Sequence, residues 1–320
     1  MFCYTLDMAT TKKSSKAKTK TVKSTVQRVN TKSIKAVKAP QKFKAVTIPE
    51  KVVKAPVKKV SIRRDRSGAL TQLNVISAVL FAGLAVLAGL FMNSRSYQLV
   101  TGLLTKDELA SKVTTVFVPA VHRVYDIELR WAVVAIMVAS AILPLLYATR
   151  LKRQYAANIS GRTHLWRWIE MAVIGALMVE VVALLSGVQD VMTLKLMGGM
   201  VVISGLLAWL AETQKNEIAV KPMRVTYVLS VIAGALPWLL IAAYAAGTPL
   251  YGMVRNSWFV YALYGVGLLG FVLTSLNLRK QLRRTVQVVD YELTERNYLL
   301  INLLTRVAFA TILITGLIKS

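Results

Sequence analysis

Cysteine and histidine are nearly missing from this 320-residue chain: Cys3 is the one cysteine, and His122 and His164 are the two histidines. A lone cysteine excludes an intramolecular disulfide. No Cys/His cluster has the spacing of a structural zinc site, so no metal is expected. Acidic residues are scarce as well, 15 against 41 lysines and arginines, for a formal net charge of +26. The chain offers no plausible nucleophile–base pair, no set of metal ligands and no phosphate-binding loop, so nothing recommends an enzyme. No apolar run precedes Ala69, which is far too late for the core of a signal peptide, and none is expected. Met8 opens the basic segment (Met-Ala-Thr-Thr-Lys-Lys). We expect it, rather than Met1, to be the true start, which the intact mass of the native protein would test.

Apolar residues are abundant: 55% of the chain is hydrophobic and the mean hydropathy is +0.51. Charge and hydrophobicity belong to different segments. Residues 1–66 carry 19 Lys/Arg against three acids, Asp7, Glu50 and Asp65, and residues 67–320 carry 22 against 12. The first segment, with Phe43 as its one aromatic after Thr10, has too little apolar area to offset chain entropy and is predicted to be a disordered basic tail. Such a tail sets topology, or adheres to anionic lipid at about 1 kcal/mol per basic residue near the surface. Nucleic-acid binding is permitted by the charge but less favoured, because nothing specifies it.

Residues 67–320 read as an all-α membrane domain, a bundle of seven transmembrane helices. The apolar spans lie near 69–92, 131–149, 166–186, 194–211, 225–246, 256–277 and 297–317. Each is close to the ~20 residues that cross a bilayer, and backbone in lipid must satisfy its own hydrogen bonds as helix. Pro144 and Pro237 are tolerable kinks. Lysine and arginine placement puts the N-terminus in the cytoplasm and the C-terminus outside, in a multi-pass cell-membrane protein. The basic cluster Arg279, Lys280, Arg283 and Arg284 then faces the cytoplasm, as topology anchor or as surface for a protein partner. The outside segment 93–130 contains a β-branched run, Val113 to Pro119, expected to form a short strand or hairpin. It is either a dimer contact or a simple cap. Gly198, Gly199 and Gly205 permit close helix contact, within the monomer or between copies.

Three ionisable residues lie well inside predicted spans, away from the ends where Arg167 and Lys195 stand: Glu170 and Glu180 in the third and Arg306 in the seventh. A guanidinium near the bilayer centre is costly, by roughly 3 kcal/mol or more, so it needs a partner. By the ~1.5 Å rise per residue, Arg306 is offset in depth from Glu170 by about 6 Å and from Glu180 by about 9 Å, and Glu170 is the favoured partner. The pair reads either as an ion path or as a neutral clamp between helices. Arginine keeps its proton, which favours the clamp over a relay.

The order of several segments is informative. The third span begins Trp166-Arg167-Trp168-Ile-Glu170 and continues through Met178 to Gln189-Asp190. The fourth ends Ala208-Trp209-Leu-Ala-Glu212. The fifth contains Leu236-Pro237-Trp238, the sixth opens Trp258-Phe-Val-Tyr261, and the seventh opens Glu295-Arg-Asn-Tyr298 and runs through Asn302. In this order and spacing, across roughly residues 70–318, the chain resembles the heliorhodopsins. The resemblance implies a rhodopsin-like seven-helix fold of inverted topology, a homodimer, a retinal pocket and a light-sensing role. It implies that Glu170 stands at the family's counterion position, with Arg167, Trp168, Met178, Trp209, Pro237, Trp238, Tyr261, Tyr298 and Asn302 as pocket or motif residues. It also places the retinal-bearing lysine eight residues after Tyr298, where this chain has Arg306.

A guanidinium stays protonated and its lone pairs are delocalised, so it is not expected to condense with an aldehyde. No lysine replaces it in the seventh span; Lys195 is the nearest elsewhere. Other implied pocket positions differ as well: Met171-Ala-Val-Ile-Gly-Ala replaces a serine-rich stretch, Thr311 an aromatic, Asn302 a serine and Pro144 a histidine. The expectation is a heliorhodopsin-like protein without covalent retinal, acting as a membrane signalling or scaffold protein. A noncovalent retinal or carotenoid remains open. The alternative is an ion or proton channel or transporter using Glu170, Glu180 and Arg306, although three charges make a thin pathway.

Overall fold

The chain divides into two units, Met1–Lys58 and Lys59–Ser320. The computed structural model describes residues 63–106, 117–214, 220–251, 256–283 and 288–318. The expectations for residues 1–62 of the basic tail, for Met8 and for Arg284 fall outside the described residues; the last four residues expected in the tail, 63–66, are instead helical, at the start of the first helix.

Eight helices and two strands occur among the described residues: α1 (Arg63–Phe91), β1 (Ser96–Lys106), β2 (Phe117–Glu128), α2 (Leu129–Ala148), α3 (Lys152–Gly161), α4 (Leu165–Leu185), α5 (Val191–Gln214), α6 (Val220–Tyr251), α7 (Trp258–Gln281) and α8 (Val288–Ile318). Seven of the helices are long and apolar enough to cross a membrane, and the protein is a multi-pass membrane bundle. Large aliphatic side chains such as Leu90, Leu239 and Leu304 stand exposed on their outer faces, where lipid rather than water is the matching solvent. Several helices overrun the predicted spans. α6 begins at Val220 instead of 225, and α8 begins at Val288, nine residues before the predicted 297. Hydropathy marks where lipid ends, whereas a helix goes on wherever its exposed turns remain solvated and packed.

α4 is the innermost element. In its most apolar window 61% of residues are buried, against 33–39% in the other six spans. It touches α2, α5, α6 and α7. Small residues permit this: a Cβ on Gly205 of α5 would stand 2.9 Å from the Ala172 Cβ of α4. The two helices therefore meet almost backbone to backbone. Gly205 serves packing within the monomer, and so does Gly198, whose Cα faces Glu180. α4 stops in a Schellman motif. Gly187 takes φ +102°, its N–H donates to Leu184 O at 3.1 Å, and Val188 N–H donates to Ala183 O at 3.0 Å. Asp190 then starts α5, its Oδ2 accepting from the Thr193 backbone N–H at 2.7 Å and from its hydroxyl at 2.6 Å. These bonds hold the Asp190 carboxyl below its ordinary value.

The first outside segment is an antiparallel hairpin, pairing Ser96 with Glu128 through to Lys106 with Phe117. It is longer than the short element expected. Val113–Val116 of the run that suggested it lies outside the described residues, while Phe117–Pro119 opens β2. The register slips between Leu99 and Val100, leaving Val124 as the extra residue of a bulge. There the Val100 N–H donates to Gln189 O at 3.0 Å, fastening the hairpin to the α4–α5 connection. α3 lies at the opposite end of the bundle and was not foreseen. Its ten residues are mostly exposed, with Tyr155 and Ile159 buried one turn apart against Leu70, Tyr147 and Tyr291.

Candidate functional site

Two buried arginines organise the interior. The first is Arg306, well inside the candidate membrane span Asp290–Ile318 of α8. Its Nη1 donates to Glu170 Oε1 on α4 at 2.5 Å, with the two side chains 4% and 12% exposed. The guanidinium carbon lies 5.6 Å from the centre of the Phe81 ring of α1, so α1, α4 and α8 meet at one cation. Glu180, the other candidate partner, instead accepts from Lys195 Nζ at 2.8 Å.

The second is Arg167, in the first turn of α4 and 1% exposed. The resemblance grouped it with the pocket or motif residues, two positions into the predicted third span. The fold buries it, because α5, α7 and α8 close over the start of the innermost helix. Arg167 Nη2 donates to Glu212 Oε1 of α5 at 2.7 Å and to Gln281 Oε1 of α7 at 3.3 Å. Its Nη1 pairs with Glu295 Oε2 of α8. The carboxylates are themselves held. Glu212 accepts from Trp168 Nε1 at 2.8 Å, Tyr291 OH at 2.8 Å and the His164 backbone N–H at 3.1 Å. Glu295 accepts from Tyr155 OH at 3.4 Å. The Arg167 carbon also lies 4.8 Å and 5.0 Å from the Trp168 and Tyr298 ring centres. Two carboxylates around one guanidinium, each with further donors, is the arrangement that makes buried charge tolerable.

His164 caps α4, its Nδ1 accepting from the Arg167 N–H at 3.0 Å. Burial pushes the imidazole below its ordinary value. It is therefore neutral near pH 7, with its proton on Nε2. Its ring meets Tyr147 and Tyr155 edge-on at 5.2 and 5.4 Å. Burial raises the Tyr155 phenol well above its ordinary value, so it stays a donor.

Two cavities share the wall formed by Asn302 and Arg306, one turn apart on α8. On one side lies a small polar pocket of about 20 Å³ reached by Tyr147, His164, Arg167, Glu170, Glu295 and Tyr298. On the other is an apolar cavity of about 90 Å³ deeper in the bundle, walled by Met178, Val182, Trp238, Phe271 and Phe309. Gly175, Gly234, Gly267 and Gly270 also line it and supply its width. A third cavity, about 190 Å³, lies between the hairpin and α2, α4 and α5, with Glu180 and Lys195 in its lining.

The predicted residues thus separate. Met178, Trp238, Asn302 and Arg306 line the apolar cavity, and Arg167, Glu170 and Tyr298 line the polar pocket. Trp168 and Trp209 belong to an apolar cluster at the α3 end with Met223 and Leu278. Pro237 is buried within α6. Tyr261 is 48% exposed, about 240° around α7 from the cavity-lining Gly267 at ~100° per residue. Sequence reasoning missed Glu212, Glu295, Gln281, Tyr291 and His164 as site residues. The available signal was depth: Arg167, Glu212 and Glu295 all stand within a few residues of a span end on one side.

Lysine chemistry is excluded from the apolar cavity by position. Within the seven spans the lysines are Lys195 and Lys280. Lys195 is paired with Glu180, Lys280 is exposed at the end of α7, and neither lines the apolar cavity. The cavity is lined mostly by apolar groups and, among the described residues, by no amine that could condense with an aldehyde, so these residues do not fit a covalently held retinal. Compared with known families, the chain matches the family described as Heliorhodopsin over residues 70–318. No curated protein matches it.

Proposed function

The chain belongs to the heliorhodopsin family, and on that footing we propose that it is a member that forms no retinal imine and acts as a membrane signalling or scaffold protein rather than as a pigment or an enzyme. The observation that carries this is the Arg306–Glu170 pair at the wall of the apolar cavity. In this reading Arg306 stands at the retinal-lysine position and Glu170 at the counterion position. The guanidinium supplies permanently the positive charge that a protonated imine would supply only when chromophore is bound. α4 and α8 are then coupled in a fixed state.

The proposed orientation puts the α3 end, with Arg279, Lys280 and the tail, in the cytoplasm, and the hairpin and C-terminus outside. A cytoplasmic protein partner would meet the α3 end, and the tail would contact anionic lipid. A homodimer is supported by the exposed apolar residues Leu103, Leu104 and Val121 on the hairpin. Adding retinal to the purified protein tests the imine claim: we expect no hydroxylamine-bleachable visible band, and such a band would overturn it. Arg306→Lys with added retinal is expected to gain a band, which shows that the chamber is intact.

A second reading, ion or proton conduction, is favoured by the polar pocket that links the Arg167 cluster to Glu170. Against it, the groups beyond Arg306 are mostly apolar. Liposome flux that disappears in Glu170→Gln would support conduction. Absence of flux under both pH and voltage gradients would remove it.

A further inference from the structure

The apolar cavity has one charged group in its lining among the described residues, Arg306. Its polar neighbours gather there too: Asn302 and Thr305 adjoin it on α8, and Thr305 faces Gly270 of α7, one turn from Thr274. Farther along, the Ser204 hydroxyl is already committed to Ser230 O at 2.7 Å. The rest of the wall is aliphatic and aromatic. The cavity therefore has one polar, cationic end and an apolar body.

The two buried arginines make an informative comparison. Arg167 holds two carboxylates, Glu212 through Nη2 and Glu295 through Nη1. Arg306 holds one. Among the described residues its hydrogen-bond partner is Glu170, reached through Nη1 alone. Glu170 lines the polar pocket and not the apolar cavity, so it approaches from the far side of the wall. A guanidinium has five N–H donors in a planar fork. Those that Glu170 leaves are on a residue that also borders the apolar cavity.

We propose that this cavity binds a monocarboxylate with an apolar chain, its head group on Arg306 and its chain between Trp238, Phe271 and Phe309. The inference rests on the imine-free reading above and adds the class of ligand. It completes at Arg306 the two-carboxylate arrangement already built at Arg167. A neutral aldehyde or alcohol head accepts from the guanidinium through one uncharged oxygen. A carboxylate adds an opposite charge and a second oxygen, so it forms an ion pair and matches the planar fork with two parallel bonds. A doubly charged head group such as a phosphate monoester would add a second unpaired negative charge beside Glu170 and is disfavoured. The chain can come from a polyene acid or from a fatty acid, and both present the same head.

The test is titration of the delipidated full-length protein in detergent, followed by tryptophan fluorescence, with all-trans-retinoate, oleate and all-trans-retinol. One carboxylate at least is expected to bind at least ~10-fold tighter than retinol. Retinoate ahead of oleate identifies a polyene site, and oleate ahead of retinoate a fatty-acid site. Arg306→Met in a Glu170→Gln background leaves no unpaired charge, so it is expected to fold, to keep retinol binding and to lose the carboxylate preference. Glu170→Gln alone, which removes the competing carboxylate, is expected to tighten carboxylate binding. Equal affinity for the acids and the alcohol, no binding of either acid, or a preference that survives loss of Arg306 overturns the proposal. Failure here is separable from failure of the imine-free reading. A retinal band in Arg306→Lys with no acid bound by the wild type leaves that reading standing. A bleachable band in the wild type removes it whatever the acids do.

Discussion

Arg306 on α8 and Glu170 on α4 are 136 residues apart in the chain and 2.5 Å apart in space, joined by a single charge-assisted hydrogen bond. Both side chains are largely buried, so each depends on the other for its charge. Replacing Arg306 by Met is expected to cost about 3–5 kcal/mol, because it strands a buried carboxylate. The double replacement Arg306→Met, Glu170→Leu is expected to recover most of that loss. Thermal or denaturant unfolding in detergent measures both, and additive losses would rule out the coupling.

The Arg167 cluster predicts a different pattern. Its guanidinium engages Glu212 and Glu295 through separate nitrogens, a geometry that an ammonium cannot copy. Arg167→Lys is therefore expected to destabilise almost as much as Arg167→Met, by about 3–5 kcal/mol. A lysine variant with wild-type unfolding would show that charge alone suffices.

Acid sensitivity is expected from His164. Burial holds its folded-state value below the ordinary one, so below about pH 6.5 the unfolded chain binds a proton there that the folded chain does not. Stability is then lost as pH falls below about 6.5, with a slope of at most about 1.4 kcal/mol per pH unit from this group. His164→Asn keeps a side-chain cap for α4 and is expected to flatten the slope between pH 7 and 5. An unchanged slope in melting curves would assign the effect to other groups.

The glycines of α5 separate by what they touch. Gly205→Ala puts a methyl group 2.9 Å from the Ala172 Cβ and is expected to cost about 1–3 kcal/mol. A Cβ at Gly199 meets nothing within 4 Å, and Gly199→Ala is expected to be neutral in the monomer, or to stabilise by up to about 1 kcal/mol through helix propensity. Should Gly199→Ala instead weaken self-association in a cross-linking assay, that face of α5 is a contact between copies.

The seven spans and the Arg306–Glu170 contact were legible in the sequence because both depend on depth. Spans three and seven run the same way, so counting residues brings the two charges level. The Arg167 cluster was not legible in the same way. Arg167, Glu212 and Glu295 each stand at a span end, where a charge ordinarily meets water. Only the inward placement of α4, set by contacts such as Gly205 on Ala172, turns those ends inside. α3 was missed because ten mostly polar residues with two buried positions resemble a loop. The hairpin was glimpsed through one β-branched run, and its partner strand, Ser-Tyr-Gln-Leu-Val-Thr-Gly, carries a weaker pattern. Tyr261 and Trp209 were grouped with the pocket by motif, whereas helical phase carries their side chains away from it.

α3 is placed as a latch would be. It grips the bundle through Ile159 and Tyr155, and the Tyr155 hydroxyl reaches the same carboxylate that Arg167 grips from the other side. Prising up this one short segment would admit water to the most deeply sequestered anion–cation knot in the molecule. From that ten-residue surface element an unbroken line of polar contacts runs through Glu295 and Arg167 to α4, α5, α7 and α8.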